Sequence, residues 1–221
     1  MSYSAKLSRT KTIVTVGLLC AIAYVAKLVS TVFPTVAGFL SFDLKDVVIV
    51  IGGFMMGPMV AGAITLVVSL VEMVTVSTTG PIGLLMNILS SGAFACTASA
   101  IYQRKRNLHS AILGLIVGIF TMTAVMLIWN WLITPLYMHV DRSMVVGMLI
   151  PVFLPFNLLK GGINAALSML LYKPVVTGLR KAHLIAENSA TTSETRWEII
   201  IVSGIALVSF IVLGLVLAGV I

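Results

Sequence analysis

Three polar residues in an otherwise apolar stretch near residue 160 could bind a small molecule. Asn157, Lys160 and Asn164 stand at positions i, i+3 and i+7, which places them on one face of a helix. A lysine at membrane depth costs about 2.5–3.5 kcal/mol on insertion scales, so it normally faces a cavity or a partner. These three residues, called the polar stripe below, therefore indicate a pocket for a hydrogen-bonding ligand. The alternative is that they only join neighbouring helices.

Two further groups could contribute to such a pocket. Asn130 lies between Trp129 and Trp131, which is typical either of an anchor at the membrane interface or of an amide beside stacking surfaces. The segment Phe39–Asp43 could cap the cavity or could be a solvated connector. An asparagine amide both donates and accepts hydrogen bonds, and a lysine donates to a carbonyl or ring nitrogen. Together these groups predict a flat ligand whose edge carries alternating donors and acceptors.

Charged residues near the apolar stretches limit the kind of ligand. Asp43 and Asp46 outnumber Lys45 in the same segment, which disfavours a strongly anionic ligand. Glu72 and Lys27 lie about one turn from the ends of apolar runs, where they could either snorkel to the lipid headgroups or serve a site. The three histidines and the two cysteines are not spaced for a metal, so no metal site is predicted.

The composition is that of a membrane protein. Of the 221 residues, 59% are hydrophobic and 10% are charged, whereas soluble domains carry about 25% charged residues. We therefore expect one polytopic, all-α bundle in the membrane. The net charge of +7 is scattered between apolar runs, so we interpret it as a topology signal and expect no nucleic-acid partner. The Lys/Arg bias predicts a cytosolic N-terminus, with the polar stripe opening towards the outside.

Apolar runs and their interruptions predict six helices in residues 1–183, a linker at 184–196 and a seventh span. Val47–Met56 is too short to cross alone, and Gly52–Gly53 and Gly57–Pro58 predict a break after a half-length helix. Pro135 is predicted to help end the fifth helix, and Leu136–Gly147 is predicted to be a loop. A cleaved signal peptide is the alternative for the first run. The other predicted helices are Thr12–Phe33, Met59–Val76, Ile82–Tyr102, Ser110–Trp131, Pro151–Tyr172 with a continuation to His183, and Trp197–Ile221.

Motifs of nucleotide hydrolysis and of common enzyme centres are absent from the sequence. It contains no G-x-x-x-x-G-K-[ST], no G-x-S-x-G and no H-E-x-x-H. No inverted repeat supports a transporter that completes alternating access alone. We therefore expect neither an enzyme nor a self-sufficient pump.

Several separate motifs resemble one family of vitamin transport proteins. They are Phe39-Leu-Ser-Phe-Asp-Leu-Lys-Asp46, Gly53-Phe-Met-Met-Gly-Pro58, Ser77-Thr-Thr-Gly-Pro-Ile-Gly83 with Met86-Asn87, and Pro155-Phe-Asn-Leu-Leu-Lys-Gly161. In this order, over about residues 10–180, they are similar to the riboflavin-specific substrate-binding (S) components of energy-coupling factor (ECF) transporters. The resemblance implies a six-helix protein of a prokaryotic cell membrane. It also implies that riboflavin is the transported ligand, with no resident cofactor.

The same resemblance implies partners and a set of ligand contacts. The partners would be one transmembrane coupling (T) subunit and two ABC-type ATPases, which drive the S component to topple in the membrane. Asn157, Lys160 and Asn130 would contact riboflavin, and Asn164 shares their helical face. Further contacts would come from Trp129, from the first loop, and from the turn that closes over the ring or ribityl chain. The residues of that loop and turn are Leu40, Phe42, Asp43, Thr79 and Gly80.

The sequence departs from the family pattern in two places. A seventh span would place the C-terminus outside. The A-x-x-x-A motif that docks on the T subunit is replaced by Gly17-x-x-x-Ala21, whose small residues could serve the same purpose. Two other hypotheses remain at this point. One is an S component for another vitamin or for FMN or FAD, and the other is a membrane assembly protein that transports nothing.

Overall fold

Helices make up nearly all of the chain that the structure describes. The structure is a computed structural model, and it describes residues 9–33, 40–182, 184, 200, 201, 203–209 and 211. Between residues 9 and 181 it contains seven α-helices, with one π-helical turn at Leu149–Phe153. The α-helices are α1 (Arg9–Ser30), α2 (Lys45–Met56), α3 (Pro58–Thr75), α4 (Gly80–Lys105), α5 (Leu108–Met138), α6 (Arg142–Met148) and α7 (Leu154–Lys181).

The outer surface of the bundle suits a lipid environment. Among the described residues, five helical stretches are long and apolar enough to cross a membrane. Their exposed sides carry large apolar residues such as Val25, Leu66 and Ile116. The predicted all-α, polytopic membrane bundle is confirmed. The five stretches are Arg9–Ser30, Pro58–Thr75, Gly80–Lys105, Leu108–Met138 and Arg142–Leu179.

The half-length helix α2 lies at the centre of the bundle. It contacts α1, α3, α4 and α7, and most of its twelve residues are buried. The chain breaks at Gly57, where φ is +101°, and Pro58 begins α3. A glycine adopts this backbone conformation without the steric cost that a side chain would add. Gly52 and Gly53 continue α2 and are buried, so only the second of the two predicted interruptions ends the helix.

Helices α4 and α5 approach each other through two glycines. A Cβ atom at Gly114 would lie 2.6 Å from the Ala98 carbonyl oxygen, and one at Gly118 would lie 2.8 Å from the Phe94 carbonyl oxygen. Neither distance leaves room for a side chain, because the obstructing atoms belong to the backbone. These four residues, called the glycine seam below, therefore bring two helices into backbone contact, as small residues do in membrane proteins.

The predicted end of the fifth helix and the loop after it are wrong. Helix α5 continues past Trp131 and through Pro135 to Met138, and α6 begins at Arg142. Most of the predicted loop Leu136–Gly147 is therefore helical. The apolar run continues across the proline, and membrane helices tolerate a proline because local adjustments satisfy the freed backbone groups.

Some predictions fall on residues that the structure does not describe. These are the N-terminal residues 1–8, residues 34–39 of the first loop, His183, and the linker 184–196 apart from Leu184. Of the predicted seventh span, Trp197–Ile221, only residues 200, 201, 203–209 and 211 are described, and these are helical.

Candidate ligand-binding site

Two prolines interrupt the hydrogen-bonding pattern of the chain where it leads into α7. Pro151 and Pro155 have no N–H group, so neither can donate to the carbonyl four residues earlier. The π-helical turn occupies this interval, and its end is marked by the Leu154 N–H donating to the Leu149 carbonyl five residues back. Such turns frequently lie at functional sites. Here the turn leads directly into the residues that carry the polar stripe.

The structure places the whole polar stripe on the inner face of α7. Asn157, Lys160 and Asn164 are 2%, 6% and 2% exposed. Helical spacing puts them in one row, and α7 packs this row against α2 and α5. Three polar side chains are therefore withdrawn from lipid into the interior of the bundle.

The asparagines near the site hold their amides within their own helices. Asn157, Asn164 and Asn130 each donate to the backbone carbonyl four residues earlier, at 2.7, 3.1 and 2.7 Å. Thr134 donates to the Asn130 Oδ1 at 2.8 Å. The buried Oδ1 of Asn164 accepts no hydrogen bond from the residues described. Those carbonyls also lie in the i to i−4 ladder of the helix, so the amides can be released to a ligand at small cost.

Asp43 is the centre of a group of buried charges. Its Oδ1 pairs with Lys27, its Oδ2 accepts a hydrogen bond from Lys160 at 3.1 Å, and the Lys45 Nζ lies 4.0 Å away. Burial alone would raise the pKa of Asp43, but the ammonium groups of Lys45, Lys160 and Lys27 outweigh it and hold the pKa well below its usual value. The first loop is thereby tied to both α1 and α7.

A second buried ion pair joins α2 to α3. Lys45 is fully buried, and its Nζ donates to both carboxylate oxygens of Glu72, at 2.7 and 2.6 Å. Asn87 of α4 adds a hydrogen bond to Glu72 Oε2 at 2.8 Å. Glu72 is 1% exposed, so the interpretation that it snorkels to the headgroups is wrong. Breaking this pair would leave Asp43, 4.0 Å away, as the remaining ionic partner of the buried Lys45 ammonium.

Asp46 differs from the other buried carboxylates. It is 0% exposed, and neither of its oxygens accepts a hydrogen bond from the part of the chain that the structure describes. The Lys160 Nζ lies 3.9 Å from its Oδ2. Three lysines and three carboxylates, contributed by α1, the first loop, α2, α3 and α7, therefore meet in one charge cluster. Its members are Lys27, Asp43, Lys45, Asp46, Glu72 and Lys160.

Aromatic and aliphatic side chains pack the first loop against the beginning of α7. Leu40 is buried in a small apolar group with Val145, Phe153 and Phe156. The rings of Phe42 and Phe156 lie 5.2 Å apart between centroids, tilted by 46°. The first loop thus packs on the beginning of α7 next to the polar stripe, where its apolar side chains could cover a flat ligand.

Comparison with known proteins identifies the family. The sequence matches the family described as "ECF transporter, substrate-specific component" over residues 11–172. The chain belongs to this family. It is therefore the substrate-specific (S) component of an ECF transporter, a membrane transport protein that works as one part of a larger assembly and not an enzyme.

Individual relatives match this S component over nearly their whole length. It is 30% identical over 181 residues to the riboflavin transporter RibU of Staphylococcus aureus (strain TCH60), covering 79% of this chain and 95% of that protein. It is 25% identical over 188 residues to the riboflavin transporter FmnP of Bacillus subtilis (strain 168), covering 80% and 99%. A solved structure, described as that of the S component of a bacterial ECF transporter, is 30% identical with a TM-score of 0.67, covering 78% and 99%.

The Trp-Asn-Trp segment of this S component divides between the core and the surface. Asn130 is 3% exposed, and Trp129 is partly buried against the main core. Trp131 is 42% exposed, and the guanidinium of Arg142 lies over its ring at 5.4 Å from the centroid. Successive residues point 100° apart on a helix, so only the amide reaches the interior fully.

The predicted turn at Thr79-Gly80 opens α4. The Thr79 N–H donates to the Ser77 Oγ at 3.3 Å, and Gly80 has φ of +55°. A Cβ at Gly83 would lie 1.9 Å from the Thr79 Oγ1, so the turn packs closely on the first turn of α4. The described contacts of Thr79 are thus within its own turn. The connection from α4 to the charge cluster is made one turn later, by Asn87.

Gly17 and Ala21, the predicted docking residues, lie on the exposed side of α1. A Cβ built at Gly17 would meet no heavy atom within 4 Å. The buried residues of α1, such as Thr15, Leu19 and Ala23, point to the opposite side. The two small residues are therefore available to another protein at the surface of the S component.

Sequence reasoning missed the extent of the charge cluster. It singled out Lys160 and Asp43, but not Lys45, Asp46 and Glu72 as their neighbours. One usable signal was that Lys27, Glu72 and Lys160 all occur within apolar runs, which predicts pairing because buried charges need partners. Which residues pair could not be predicted, because the cluster joins segments up to 117 positions apart.

Proposed function

We propose that this S component binds riboflavin and supports its uptake across the cell membrane of a prokaryote. The observation that carries the proposal is its 30% identity to a riboflavin transporter across 95% of that protein. ATP hydrolysis would come from partner subunits, since the sequence contains no P-loop motif. Riboflavin is then the transported ligand, and the protein needs no cofactor of its own.

The chemistry of the inner face of α7 supports a flavin. The isoalloxazine ring has two apolar faces and an edge of carbonyls, ring nitrogens and an imide N–H. Asn157 and Lys160 offer donors and an acceptor for that edge, with Asn130 and Asn164 as further amides. Phe42 and Phe156 provide aromatic surface beside them. The remaining predicted contacts are Leu40, Asp43, Thr79, Gly80 and Trp129.

The charge balance favours riboflavin over its phosphate esters. The three lysines of the charge cluster are already matched by three carboxylates. A phosphate group would add about two negative charges to a neutral interior without a free cation of the cluster to receive them. An S component specific for FMN would be expected to carry additional basic residues at the site.

The distribution of basic residues supports an outward-facing site. The charge cluster lies where α1 ends, α2 begins, α3 ends and α7 begins. Basic residues concentrate at the other end of the bundle, including Arg9 and Lys11 in the first turn of α1 and Arg104-Lys105-Arg106 at the end of α4. By the positive-inside rule that other end is cytosolic, and so is the N-terminus.

The partners we propose are one T subunit and two ABC-type ATPases. Gly17 and Ala21 would form the contact with the T subunit, since small residues let helices approach closely. We expect Gly17→Leu to leave riboflavin binding by the purified protein unchanged while uptake by cells falls severely. Ala182→Leu, at an exposed residue directly after α7, is the control and should leave uptake unchanged. Normal uptake by the Gly17→Leu variant would refute this docking surface.

The first test is the visible absorption spectrum of the full-length protein purified in detergent without added ligand. A flavin spectrum, from a released ligand that chromatographs as riboflavin, would support the proposal. A colourless protein that also fails to quench added riboflavin fluorescence would contradict it. Another vitamin would then be sought by screening, and failure of every vitamin would favour an assembly role.

The second test assigns the site. Lys160→Ala should cripple riboflavin binding while the protein still inserts and elutes as a single species in detergent. Removing a hydrogen bond to a charged group typically costs about 1.5–3 kcal/mol, which is roughly a tenfold to hundredfold loss of affinity. Lys105→Ala, at the exposed end of α4, is the matched control. Unchanged affinity in the Lys160→Ala variant would exclude this site.

A further inference from the structure

Asp43 and Asp46 lie three positions apart in the sequence and are both buried, yet their surroundings differ. Asp43 is 3% exposed, and each of its oxygens already has a lysine partner, Lys27 on one side and Lys160 on the other. Asp46 is 0% exposed and accepts no hydrogen bond from any residue that the structure describes. Buried carboxylates normally have several hydrogen bonds, so the second arrangement requires an explanation.

The position of Asp46 next to the polar stripe explains why its carboxylate has no hydrogen bond from the described residues. Its carboxylate lies 3.9 Å from the Lys160 ammonium, which also donates to Asp43. An ammonium has three N–H donors, so Lys160 can keep one bond to Asp43 and direct another to a ligand. A ligand that accepts from Lys160 would then lie next to the acceptor oxygens of Asp46. Asp46 also lies in the first turn of α2, where the helix dipole stabilises a negative charge.

We propose that Asp46 is a ligand-binding residue that determines specificity, accepting a hydrogen bond from an N–H or O–H group of an uncharged ligand and repelling its phosphate ester. The inference rests on the proposed function, because it assigns a role within the same site. It gives the two carboxylates different roles. Asp43 is a positioning residue that holds the first loop and Lys160, whereas Asp46 faces the ligand.

The two carboxylates provide a matched pair of variants. Asp46→Asn and Asp43→Asn each remove one negative charge from the same cluster, so an effect of net charge alone would be equal in both. Titrations of the full-length protein in detergent with riboflavin and with FMN would give two dissociation constants for each variant. Asp141→Asn, which changes an exposed carboxylate before α6, serves as the control that should behave as the unmodified protein.

We expect Asp46→Asn to weaken riboflavin binding about tenfold or more, as loss of a hydrogen bond to a charged group does. The affinity for FMN should fall less, because the variant also removes a charge that repels the phosphate. The ratio of the FMN dissociation constant to the riboflavin dissociation constant should therefore decrease about tenfold. Asp43→Asn should change that ratio by less than about threefold, because its carboxylate is covered by lysines. The unfolding temperature without ligand should fall less in Asp46→Asn, whose carboxylate lies 3.9 Å from Lys160 and accepts no described hydrogen bond, than in Asp43→Asn, which loses its contacts with Lys27 and Lys160.

Each contrary result has a distinct meaning. An unmodified protein that binds neither flavin would overturn the proposed function itself. If riboflavin binds normally and Asp46→Asn preserves both its affinity and the ratio to FMN, the role of Asp46 is refuted. Equal changes of the ratio in the two variants would also refute it, because net charge would suffice. An Asp46→Asn variant that fails to fold would show that the carboxylate is structural.

Discussion

The two ends of this bundle are held together by opposite kinds of contact. Near the junction of α4 and α5, the glycine seam brings backbone against backbone, with no room for a single added carbon. At the other end, six charged side chains from five segments meet around Asp43 and Lys45. The two helices at the glycine seam can pack in only one way, because close-packed helices without voids resist displacement. The ion pairs of the charge cluster can form in more than one combination, because Lys160 and Lys45 each lie within 4.0 Å of two carboxylates.

This difference indicates where the molecule can respond to a ligand. A ligand that takes a hydrogen bond from Lys160 leaves Asp43 paired with Lys27. The first loop can therefore stay attached to α1 through Lys27, and to α7 through a second N–H of Lys160, while the ligand is bound. The glycine seam offers no such spare contact, because van der Waals contact there depends on a fixed distance. The close packing of α4 and α5 therefore gives the bundle a rigid part, and the side chains that can change partners lie in the charge cluster.

The largest effect is expected from breaking the ion pair within the charge cluster. Glu72→Leu removes the carboxylate that accepts both described hydrogen bonds of the fully buried Lys45 ammonium and leaves only Asp43, 4.0 Å away; breaking a buried ion pair costs about 3–5 kcal/mol. The unfolding temperature in detergent should therefore fall steeply. The double variant with Lys45→Met removes the charge as well and should recover much of the loss. If the double variant is no more stable than Glu72→Leu, the pair does not account for the stability of this end.

The next largest effect should come from the glycine seam. Gly114→Val places a side chain where a Cβ already lies 2.6 Å from the Ala98 carbonyl, so the helices must separate. Overpacking of this kind costs about 1–3 kcal/mol. Gly92→Val on α4 is the control, because a Cβ there meets no heavy atom within 4 Å. Thermal unfolding followed by size-exclusion chromatography measures both, and equal stability of the two variants would contradict the close approach.

A smaller effect, which depends on pH, should come from Asp43. Its pKa is held below the ordinary value of 3.8 in the folded protein, so the unfolded chain binds a proton first as the pH falls. The stabilisation is present above about pH 4 and decreases below it, by about 1 kcal/mol at pH 3. Asp43→Asn should be less stable at pH 7, and the difference from the unmodified protein should narrow between pH 4 and 3. A difference that stays constant over this range would contradict the pairing.

The membrane-spanning helices could be predicted from the sequence better than the charge cluster, for physical reasons. Apolar runs must be about 20 residues long to cross a bilayer, so most spans could be located, and Gly57-Pro58 correctly predicted a break. The prediction that Pro135 helps end the fifth helix was wrong, because the cost of a proline inside a helix depends on neighbouring groups that only the folded structure shows. The inner row Asn157, Lys160 and Asn164 follows from helical spacing alone. The partner of Lys45 depends instead on how α2 meets α3, which only the folded structure provides.

The smallest expected effect distinguishes the charge cluster from a charge that merely lies near it. Arg142 begins α6 and is exposed, with its guanidinium over the ring of Trp131 at 5.4 Å from the centroid. An exposed cation–π contact contributes about 0.5–1 kcal/mol, so Arg142→Gln should lower the free energy of unfolding by no more than this. Riboflavin affinity should stay within about twofold, since binding on our proposal depends on buried donors and acceptors and not on the general charge of this end. A tenfold loss of affinity would mean that the site extends over the connection between α5 and α6. It would contradict the claim that binding depends only on the buried donors and acceptors.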